Sequence, residues 1–474
     1  MATRRTLFGA ALSSPLPAVL LAACGQGGAT PTSGGQAAGG TKKPAHLQYW
    51  NKFGGTTADA EDQVIAAFQS KFPHITVEAL EGGQVAGSGD VDREKFTAAL
   101  AAGNPPEVIK IDRFKMGGHG AKHTTTLLDD LVKRDKIDLK KFYPATVEEI
   151  RFPPQESGKV TALPWDTDNR VLFYNKRHFQ EVGLDPTKPP RTWEDALEYG
   201  IKLTKRQGSD VIRLGFNAER DYTNWSVGWH WAAGGQWLKP GPDGKPNRKA
   251  AFNDDRARKW MQYLVDNRDR MAGSEDAYTA WKNRWGPREQ GAIYNDGISM
   301  FVNGSWNLGD FKKYGATDYL LNAPPPRPKG MEGTPVTWAG GFALAIPTGI
   351  KGDAADAAWE FIKYATYTKE AQLTYAVVAG RFPVLLEAAE DKAFRESNPL
   401  VPVHVEVMKQ AKIRDVTPAG DEVWFNDAQK SRNYALFELR LRALEGKESI
   451  TDILNKSEQY INQPLDEGWA RATS

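Results

Sequence analysis

One stretch of the sequence decides the fold: Leu163-Pro164-Trp165-Asp166-Thr167-Asp168-Asn169-Arg170-Val171-Leu172-Phe173-Tyr174-Asn175. It ends in an apolar run that is typical of a strand buried on both faces. Between the proline and this run lie two carboxylates, an amide, a guanidinium and an indole, a set too polar for a buried strand. We therefore expect the stretch to cross between two folded bodies and to line the cleft between them.

The size and charge of the chain restrict its class. Its 474 residues and 52.4 kDa exceed what one hydrophobic core holds, which favours two or three domains. The 61 basic and 59 acidic residues leave a net charge of +2, so no broad positive surface indicates a nucleic-acid partner. The 15 tryptophans are more than the cores of such a chain need, so several are expected to face a ligand.

The N-terminus has the pattern of a bacterial export signal. Arg4-Arg5 precede an apolar stretch at 7–23, which prolines interrupt and which is too short for a spanning helix. Leu21-Ala22-Ala23-Cys24 resembles the lipobox of bacterial lipoproteins, whose cysteine is acylated and becomes the first mature residue. Residues 1–23 are thus predicted to be a lipoprotein export signal. The arginine pair leaves open whether export follows the twin-arginine or the general secretory route.

A tether is expected to follow the signal. Residues 24–44 are mostly Gly, Ala, Ser, Thr and Gln, a composition that predicts disorder because it has little to bury. A lipid on Cys24 would hold the folded part at the outer face of the cell membrane, or in the periplasm. Cys24 is the only cysteine, which excludes a disulfide within the chain.

The globular part opens with alternating strands and helices. The predicted elements are a strand at 46–50, a helix at 59–72, a strand at 75–78, a helix at 92–102 and a strand at 107–111. This order predicts a parallel α/β layer, in which ligands bind at the carboxyl ends of the strands. Asp112-Arg113-Phe114 stand at such an end, so they are candidates for ligand contact.

Later segments repeat this transition from buried strand to polar turn. A strand at 297–302 leads through Asn303-Gly304-Ser305 into a helix that begins with Trp306, and a second apolar strand is predicted at 340–347, just after Trp338.

Two local motifs have a purely structural interpretation. Thr192 and Asp195 form a capping box at the start of a helix. The run Gly117-Gly118-His119-Gly120 is predicted to be a loop, on which His119 and His123 would not share a helical face. No metal site is therefore expected.

Four blocks of the chain together resemble the family 1 bacterial extracellular solute-binding proteins, the sugar-capturing subunits of ABC importers. The blocks are Leu163 to Asn175, Pro190-Arg191-Thr192-Trp193-Glu194-Asp195, Gly297 to Trp306 and Gly340 to Pro383. The resemblance extends from residue 46 to about 465. It implies an α/β, type II periplasmic-binding-protein-like fold, whose two discontinuous lobes are joined by a three-segment hinge and close around the ligand. Lobe one is expected at 45–163 and 338–390, and lobe two at 168–330 and 398–474.

The resemblance also implies ligand-binding residues. Asp168, four residues after Pro164, matches a carboxylate of maltose binders, and Asp112-Arg113-Phe114 matches a motif that grips sugar hydroxyls. Trp306 matches an aromatic residue that stacks on sugar. The further candidates are aromatic or polar residues of the same and neighbouring segments: Trp338, Trp50, Asn51, Trp165, Asp166, Tyr222 and Trp229. Lys110 replaces an aromatic residue expected before Asp112, so the pocket is expected to differ from that of maltodextrin binders. The sequence leaves the identity of the sugar open.

These residue types suit a sugar. An ionised carboxylate accepts two hydroxyl hydrogens in strong, charge-assisted bonds. An indole covers the apolar face of a sugar ring and loses little side-chain entropy in doing so. Arg113 would either hold a carboxylate in place or donate to ring and hydroxyl oxygens.

Other functions fit some of these features. A secreted glycoside hydrolase would also carry tryptophans and paired carboxylates in a cleft, although Asp166 and Asp168 are two residues apart, whereas acid and nucleophile usually come from separate strands. The same fold could bind a polyamine or a peptide. We predict a monomeric binding protein without catalytic activity or cofactor. Its expected partners are a sugar or oligosaccharide, ABC permease subunits and, through Cys24, the membrane.

Overall fold

The computed structural model describes residues 43–54, 56–81, 93–153, 158–218, 225–286, 290–424 and 434–473. The export signal, Cys24, nearly all of the tether and Tyr222 lie outside these residues.

The described residues form eighteen strands and nineteen helices. The strands are β1 Ala45–Lys52, β2 Ile75–Glu81, β3 Val108–Asp112, β4 Arg151–Phe152, β5 Lys159–Val160, β6 Leu163–Pro164, β7 Asp166–Thr167, β8 Arg170–Asn175, β9 Lys205–Gln207, β10 Asp210–Asn217, β11 Leu238–Lys239, β12 Lys249–Ala250, β13 Ile298–Gly304, β14 Leu320–Ala323, β15 Thr337–Trp338, β16 Phe342–Ala345, β17 Phe382–Pro383 and β18 Ala411–Lys412. The helices are α1 Thr56–Lys71, α2 Arg93–Ala101, α3 Met116–Ala121, α4 Asp129–Arg134, α5 Pro144–Glu149, α6 Lys176–Glu181, α7 Trp193–Leu203, α8 Ser226–Ala232, α9 Asp255–Met271, α10 Glu275–Arg284, α11 Gln290–Tyr294, α12 Leu308–Lys313, α13 Gly352–Tyr367, α14 Lys369–Ala379, α15 Leu386–Ala389, α16 Lys392–Arg395, α17 Val401–Met408, α18 Leu439–Glu445 and α19 Ile450–Thr473.

Two five-stranded sheets organise these elements. The first has the strand order β2-β1-β3-β16-β6 and the second the order β14-β8-β13-β10-β9. The predicted parallel layer is confirmed for β1, β2 and β3, but β16 runs antiparallel to β3. Phe342, the first residue of β16, pairs with Asp112, the last residue of β3, because the chain enters β16 at the edge where β3 ends.

Each sheet has its own apolar core. The first sheet packs against α1, whose Val64, Ile65 and Phe68 are buried. The second sheet is built around β8, whose six residues are all buried, as the apolar run in the sequence predicts. Trp260 of α9 is fully buried beside this sheet and fills its core.

The chain passes between the two cores in three places. It leaves the first sheet after β6 and enters the second at β8, and it returns between β14 and β16. It passes over again between α15 and α17, since Ala388 of α15 lies in the first core and α17 packs against β8 of the second sheet.

The local motifs differ in how well the sequence predicts them. The capping box is confirmed: the Thr192 hydroxyl accepts from the Asp195 amide at 2.9 Å, and the Asp195 carboxylate accepts from the Thr192 amide at 3.1 Å. The predicted loop at Gly117–Gly120 is wrong, because these residues lie in helix α3. A Cβ on Gly117 would come within 2.3 Å of the carbonyl oxygen of Thr417, so the glycine lets the helix pack directly against that backbone.

Within the described ranges, no helix combines the length and the apolar character that crossing a membrane requires.

Candidate functional site

The site is built where two of the crossing segments pair with each other. The amide of Asp168 donates to the carbonyl of Gly340 at 3.2 Å, and the amide of Gly340 donates back to the carbonyl of Asp168 at 3.1 Å. Beside this pair, the Trp165 amide donates to the Phe342 carbonyl at 2.8 Å. The stretch around Asp168 thus runs against the segment that leads into β16.

Two glycines allow this close pairing. A Cβ on Gly340 would lie 2.6 Å from a carboxylate oxygen of Asp168. Gly341 has a φ of +117°, and a Cβ there would lie 2.5 Å from the carbonyl oxygen of Asp166 and 2.7 Å from Nη1 of Arg113. Glycine is required at 341 both for its backbone conformation and for the space it leaves.

Alternating aromatic rings and guanidinium groups lie next to this pairing. We call the set Trp306, Arg170, Trp338, Arg414 and Phe114 the arginine–aromatic stack. The Arg170 guanidinium lies 4.6 Å from the ring centroid of Trp306 and 3.5 Å from that of Trp338. The Arg414 guanidinium lies 4.4 Å from the centroid of Trp338 and 3.6 Å from that of Phe114. These distances are typical of cation–π contacts.

The stack draws on both sheets. Phe114 follows β3 of the first sheet, whereas Arg170 belongs to β8 of the second and Trp306 follows β13. Trp338 lies in β15, which pairs with β18, and Arg414 comes shortly after β18. Closing this stack therefore requires both sheets to be in place.

Each guanidinium of the stack has a carboxylate partner. Arg170 donates to a carboxylate oxygen of Asp168, and Arg414 donates to Asp112 at 3.1 Å. Burial lowers the pKa of Arg170 to about 10, although Asp168 opposes this shift, and burial likewise lowers the pKa of Arg414. Asp112 and Asp168 thus compensate two cations that are themselves removed from water.

Trp306 is presented by its glycine turn. A Cβ on Gly304 would overlap the Trp306 ring at 1.9 Å, so the indole folds back over the glycine backbone. Trp306 is partly exposed, whereas Trp338 is only 1% exposed. Of the two indoles in the stack, Trp306 is the one that a ligand can reach directly.

Arg113 is buried beneath the stack. Its Nε donates to Glu149 at 2.9 Å, and its remaining donors reach the carbonyls of Asp166, Gly340 and Phe342 and the hydroxyl of Thr167. Burial raises the pKa of Glu149 to about 7 against the opposing effect of Arg113. Of the two roles that its side-chain chemistry predicts for Arg113, the structure shows it holding a carboxylate.

Asp166 and Trp165 lie in a second polar network beside the site. Asp166 is fully buried and accepts from the Phe342 amide at 2.8 Å and from the Tyr375 hydroxyl at 3.1 Å. Arg381 lies 3.4 Å from the same carboxylate. The Trp165 ring packs at 4.4 Å from the ring of Tyr375 and is 2% exposed.

Trp50 and Asn51 are placed at the end of β1. Lys95 lies 4.5 Å from the centroid of the partly exposed Trp50 ring. Asn51 has a φ of 84° and donates to the carbonyl of Lys110 at 2.8 Å, and Lys110 pairs with Glu61 at 2.5 Å. Burial lowers the pKa of Lys110 to about 8, against the effect of Glu61.

Trp229 is not brought to the stack. Its ring lies 5.5 Å from that of Trp193 within the core of the second sheet, and its Nε1 donates to the carbonyl of Ala218 at 3.1 Å. Tyr222, the remaining candidate, falls outside the described residues. The structure thus brings together Asp112, Asp168, Trp306 and Trp338.

Sequence reasoning missed the two arginines that join these four residues. Arg170 stands in the decisive stretch, where the run of polar residues before β8 was a signal. Arg414 has no comparable motif around it and meets Asp112 across 302 positions of the chain. Within the described part of the chain, no group of His, Cys, Asp and Glu is arranged to hold a metal ion.

Comparison with known proteins shows which family the chain resembles. Residues 63–403 match the family described as bacterial extracellular solute-binding protein. The sn-glycerol-3-phosphate-binding periplasmic protein UgpB of Escherichia coli (strain K12) is 24% identical over 165 residues, which cover 33% of this chain and 35% of that protein. The match therefore spans about a third of the length of the curated relatives.

Solved structures share the fold over most of the chain. An ABC transporter solute-binding protein from Thermotoga lettingae TMO, bound with alpha-D-tagatose, has a TM-score of 0.70 at 20% identity, covering 89% of this chain and 100% of that one. The GacH receptor of Streptomyces glaucescens has a TM-score of 0.71 at 18% identity, covering 90% and 99%. The cyclic alpha-maltosyl-1,6-maltose binding protein from Arthrobacter globiformis has a TM-score of 0.67 at 23% identity, covering 90% and 100%. The two-lobed α/β fold of periplasmic binding proteins is thus shown. Because the family match extends over most of the chain, this protein belongs to the bacterial extracellular solute-binding proteins, which are binding proteins rather than enzymes.

Proposed function

We propose that this protein captures a neutral sugar or oligosaccharide between its two lobes and delivers it to the permease of an ABC transporter. The observation that carries the proposal is the arginine–aromatic stack with its two carboxylates. It combines a partly exposed indole, charged donors and charged acceptors, which are the groups that a polyhydroxylated ring needs.

The charge of this site favours a neutral ligand. Arg170 and Arg414 each face a carboxylate, so an anion would meet no excess of positive charge. A polyamine would have to approach two buried guanidinium groups. A sugar hydroxyl can instead donate to a carboxylate and accept from an arginine.

Solved structures of the same fold support a sugar ligand. The neighbouring structures with bound tagatose and acarbose show that this fold accommodates sugars and sugar analogues.

We propose that the lobes have the boundaries expected from the sequence, with lobe one at 45–163 and 338–390 and lobe two at 168–330 and 398–474. The strands of the second sheet all fall within lobe two, and those of the first sheet fall within lobe one apart from Pro164, the last residue of β6, which supports these boundaries. A ligand held by residues from both lobes stabilises the closed arrangement, because only that arrangement provides all the contacts.

A thermal-shift screen against neutral mono- and oligosaccharides tests the function. A ligand present at 100-fold its Kd should add about 2.7 kcal/mol to the free energy of unfolding and raise Tm. With the sugar that gives the largest shift, Trp306→Ala should weaken binding about tenfold or more, because the sugar ring loses its apolar partner. Isothermal titration calorimetry measures this change.

Trp285→Ala is the matched control. Trp285 is also partly exposed, but its indole packs over Gly297, the residue before β13, and belongs to no part of the stack. Its replacement should leave the affinity unchanged. Absence of a Tm shift with every neutral sugar would contradict the proposed function, and equal loss of affinity in both variants would remove Trp306 from the site.

We also propose that a lipid on Cys24 anchors the protein to the membrane, as the sequence Leu21-Ala22-Ala23-Cys24 predicts. Cys24→Ser should move the protein from the membrane fraction to the soluble fraction, since the sulfur that carries the lipid is lost. Fractionation of cells followed by immunoblotting measures this. Retention of the serine variant in the membrane fraction would refute the anchor.

A further inference from the structure

We infer that Arg113 is a positioning residue of the hinge: it fastens two of the segments that cross between the lobes, and it acts on ligand binding through their arrangement rather than by touching the ligand. This inference rests on the two-lobed fold and does not depend on which solute is bound.

The donors of Arg113 are all engaged within the protein. A guanidinium has five N–H donors in a fixed plane. Nε donates to Glu149 at 2.9 Å. Nη1 donates to the carbonyl of Asp166 and, at 3.5 Å, to the carbonyl of Phe342. Nη2 donates to the carbonyl of Gly340 and, at 3.4 Å, to the hydroxyl of Thr167. Arg113 is 0% exposed. No donor remains for a sugar oxygen.

The acceptors belong to two different crossing segments. Asp166 and Thr167 lie between β6 and β8, where the chain first leaves the first sheet. Gly340 and Phe342 lie at the entrance to β16, where the chain returns. The planar fork of one arginine therefore bridges the two segments whose backbone must change when the lobes open or close.

Arg113 is itself fixed from the side of the first lobe. Its backbone amide donates to the carbonyl of Gly341 at 3.0 Å, and its carboxylate partner Glu149 ends helix α5. Glu149 is also 0% exposed, so the pair is held in the interior. The guanidinium thus has a defined position relative to the first sheet, from which it sets the position of both segments.

The candidate ligand carboxylate depends on this arrangement. Asp168 follows Thr167 directly, and its carboxylate accepts from the Gly340 amide at 3.1 Å. The Gly340 carbonyl is shared by Arg113, by the Thr167 hydroxyl at 3.0 Å and by the Asp168 amide. A change in how Arg113 holds Gly340 would therefore move Asp168 relative to the stack.

The test measures the distance between the lobes without any ligand. Cys24 is the only cysteine, so in a chain with Cys24→Ser a pair of nitroxide labels can be attached at Leu127→Cys and Tyr314→Cys. These positions are 53% and 59% exposed and lie beside the first and the second core, respectively. Double electron–electron resonance then gives the distribution of distances between the two labels.

In this labelled chain, Arg113→Lys should change the mean distance by about 2 Å or more, the scale of displacement at domain interfaces, and should broaden the distribution. The lysine keeps the positive charge beside Glu149, but its ammonium cannot span both segments as a planar fork does. An unchanged distribution would overturn the inference, whatever happens to the affinity, because a ligand-contacting residue has no effect on the hinge of the free protein.

Arg213→Lys is the matched control. Arg213 is 4% exposed, pairs with Glu181 at 2.8 Å and donates to the Leu203 carbonyl at 3.0 Å. Its replacement by lysine therefore removes similar guanidinium bonds at a place away from the hinge. The inference requires that this variant keeps the wild-type distribution, and an equal change in both variants would overturn it.

A second substitution decides the question if Arg113→Lys does not fold. Thr167→Val preserves the shape of the side chain but removes one acceptor of Arg113 and one donor to Gly340. It should shift the distribution in the same direction by a smaller amount. A wild-type distribution in that variant would then overturn the inference.

Discussion

Replacing Asp168 with alanine should lower the free energy of unfolding by about 3–5 kcal/mol, the range found when one partner of a buried ion pair is removed. Asp168 and Arg170 are both about 5% exposed, and the carboxylate accepts from Arg170 and from the Gly340 amide. Without it, Arg170 loses this charge partner in a place that water hardly reaches. Urea unfolding followed by tryptophan fluorescence measures the change.

The same substitution should weaken sugar binding by about 2–4 kcal/mol, since it also removes a charged acceptor from the proposed site. Calorimetry on the folded fraction, with the sugar identified in the thermal-shift screen, separates this effect from the loss of stability. An unchanged affinity would show that Asp168 does not contact the ligand.

Glu198→Ala is the control for the stability effect. Glu198 pairs with Lys202 at 2.7 Å on the surface of α7, and the two side chains are 63% and 50% exposed. An exposed pair contributes about 0–1 kcal/mol, so this variant should remain close to wild type. If both variants lost the same stability, burial would not be the reason for the effect at Asp168.

Gly341→Ala is expected to have the second large effect, a loss of more than about 3 kcal/mol in the free energy of unfolding, because strain of about 1–3 kcal/mol from the backbone conformation adds to a steric clash. The φ of +117° is unfavourable for a residue with a Cβ, and the added atom would lie 2.5 Å from the carbonyl oxygen of Asp166. That oxygen belongs to the paired backbone and accepts from Arg113, so it cannot move without separating the crossing segments.

Gly349→Ala separates the two causes. Gly349 has a φ of +101°, but a Cβ there would have no atom within 4 Å. It should cost only the backbone strain, about 1–3 kcal/mol. Chemical denaturation of both variants measures the difference, and equal losses would mean that close packing at Gly341 contributes nothing.

Much of the fold can be predicted from local patterns. The apolar run of β8 indicates a strand buried on both faces, and the spacing of Thr192 and Asp195 indicates the start of α7. These predictions hold because each depends on residues that are neighbours in the chain. The predicted loop at the glycine run of α3 is wrong for the opposite reason. The helix there packs against the backbone of Thr417, which is distant in the chain and leaves no local sequence pattern.

The candidate site is only partly predictable. Asp112, Asp168, Trp306 and Trp338 stand in motifs at strand ends, and the structure brings them together. Trp165 and Trp229 belong to the same residue type as Trp306, yet both are buried against neighbouring rings. Composition shows that indoles are abundant, but it does not distinguish those that fill a core from those that remain partly exposed.

By itself, the sequence determined that this chain forms alternating strands and helices, that a polar stretch crosses between two bodies, and that acidic and aromatic residues stand at the strand ends. Only the tertiary structure decided which charges meet. Arg414 reaches Asp112 across 302 positions, and Arg113 fastens segments that lie 53 and 227 positions away. Such pairings depend on where the crossing segments bring distant parts of the chain together, and residues so far apart impose no pattern on each other within the sequence.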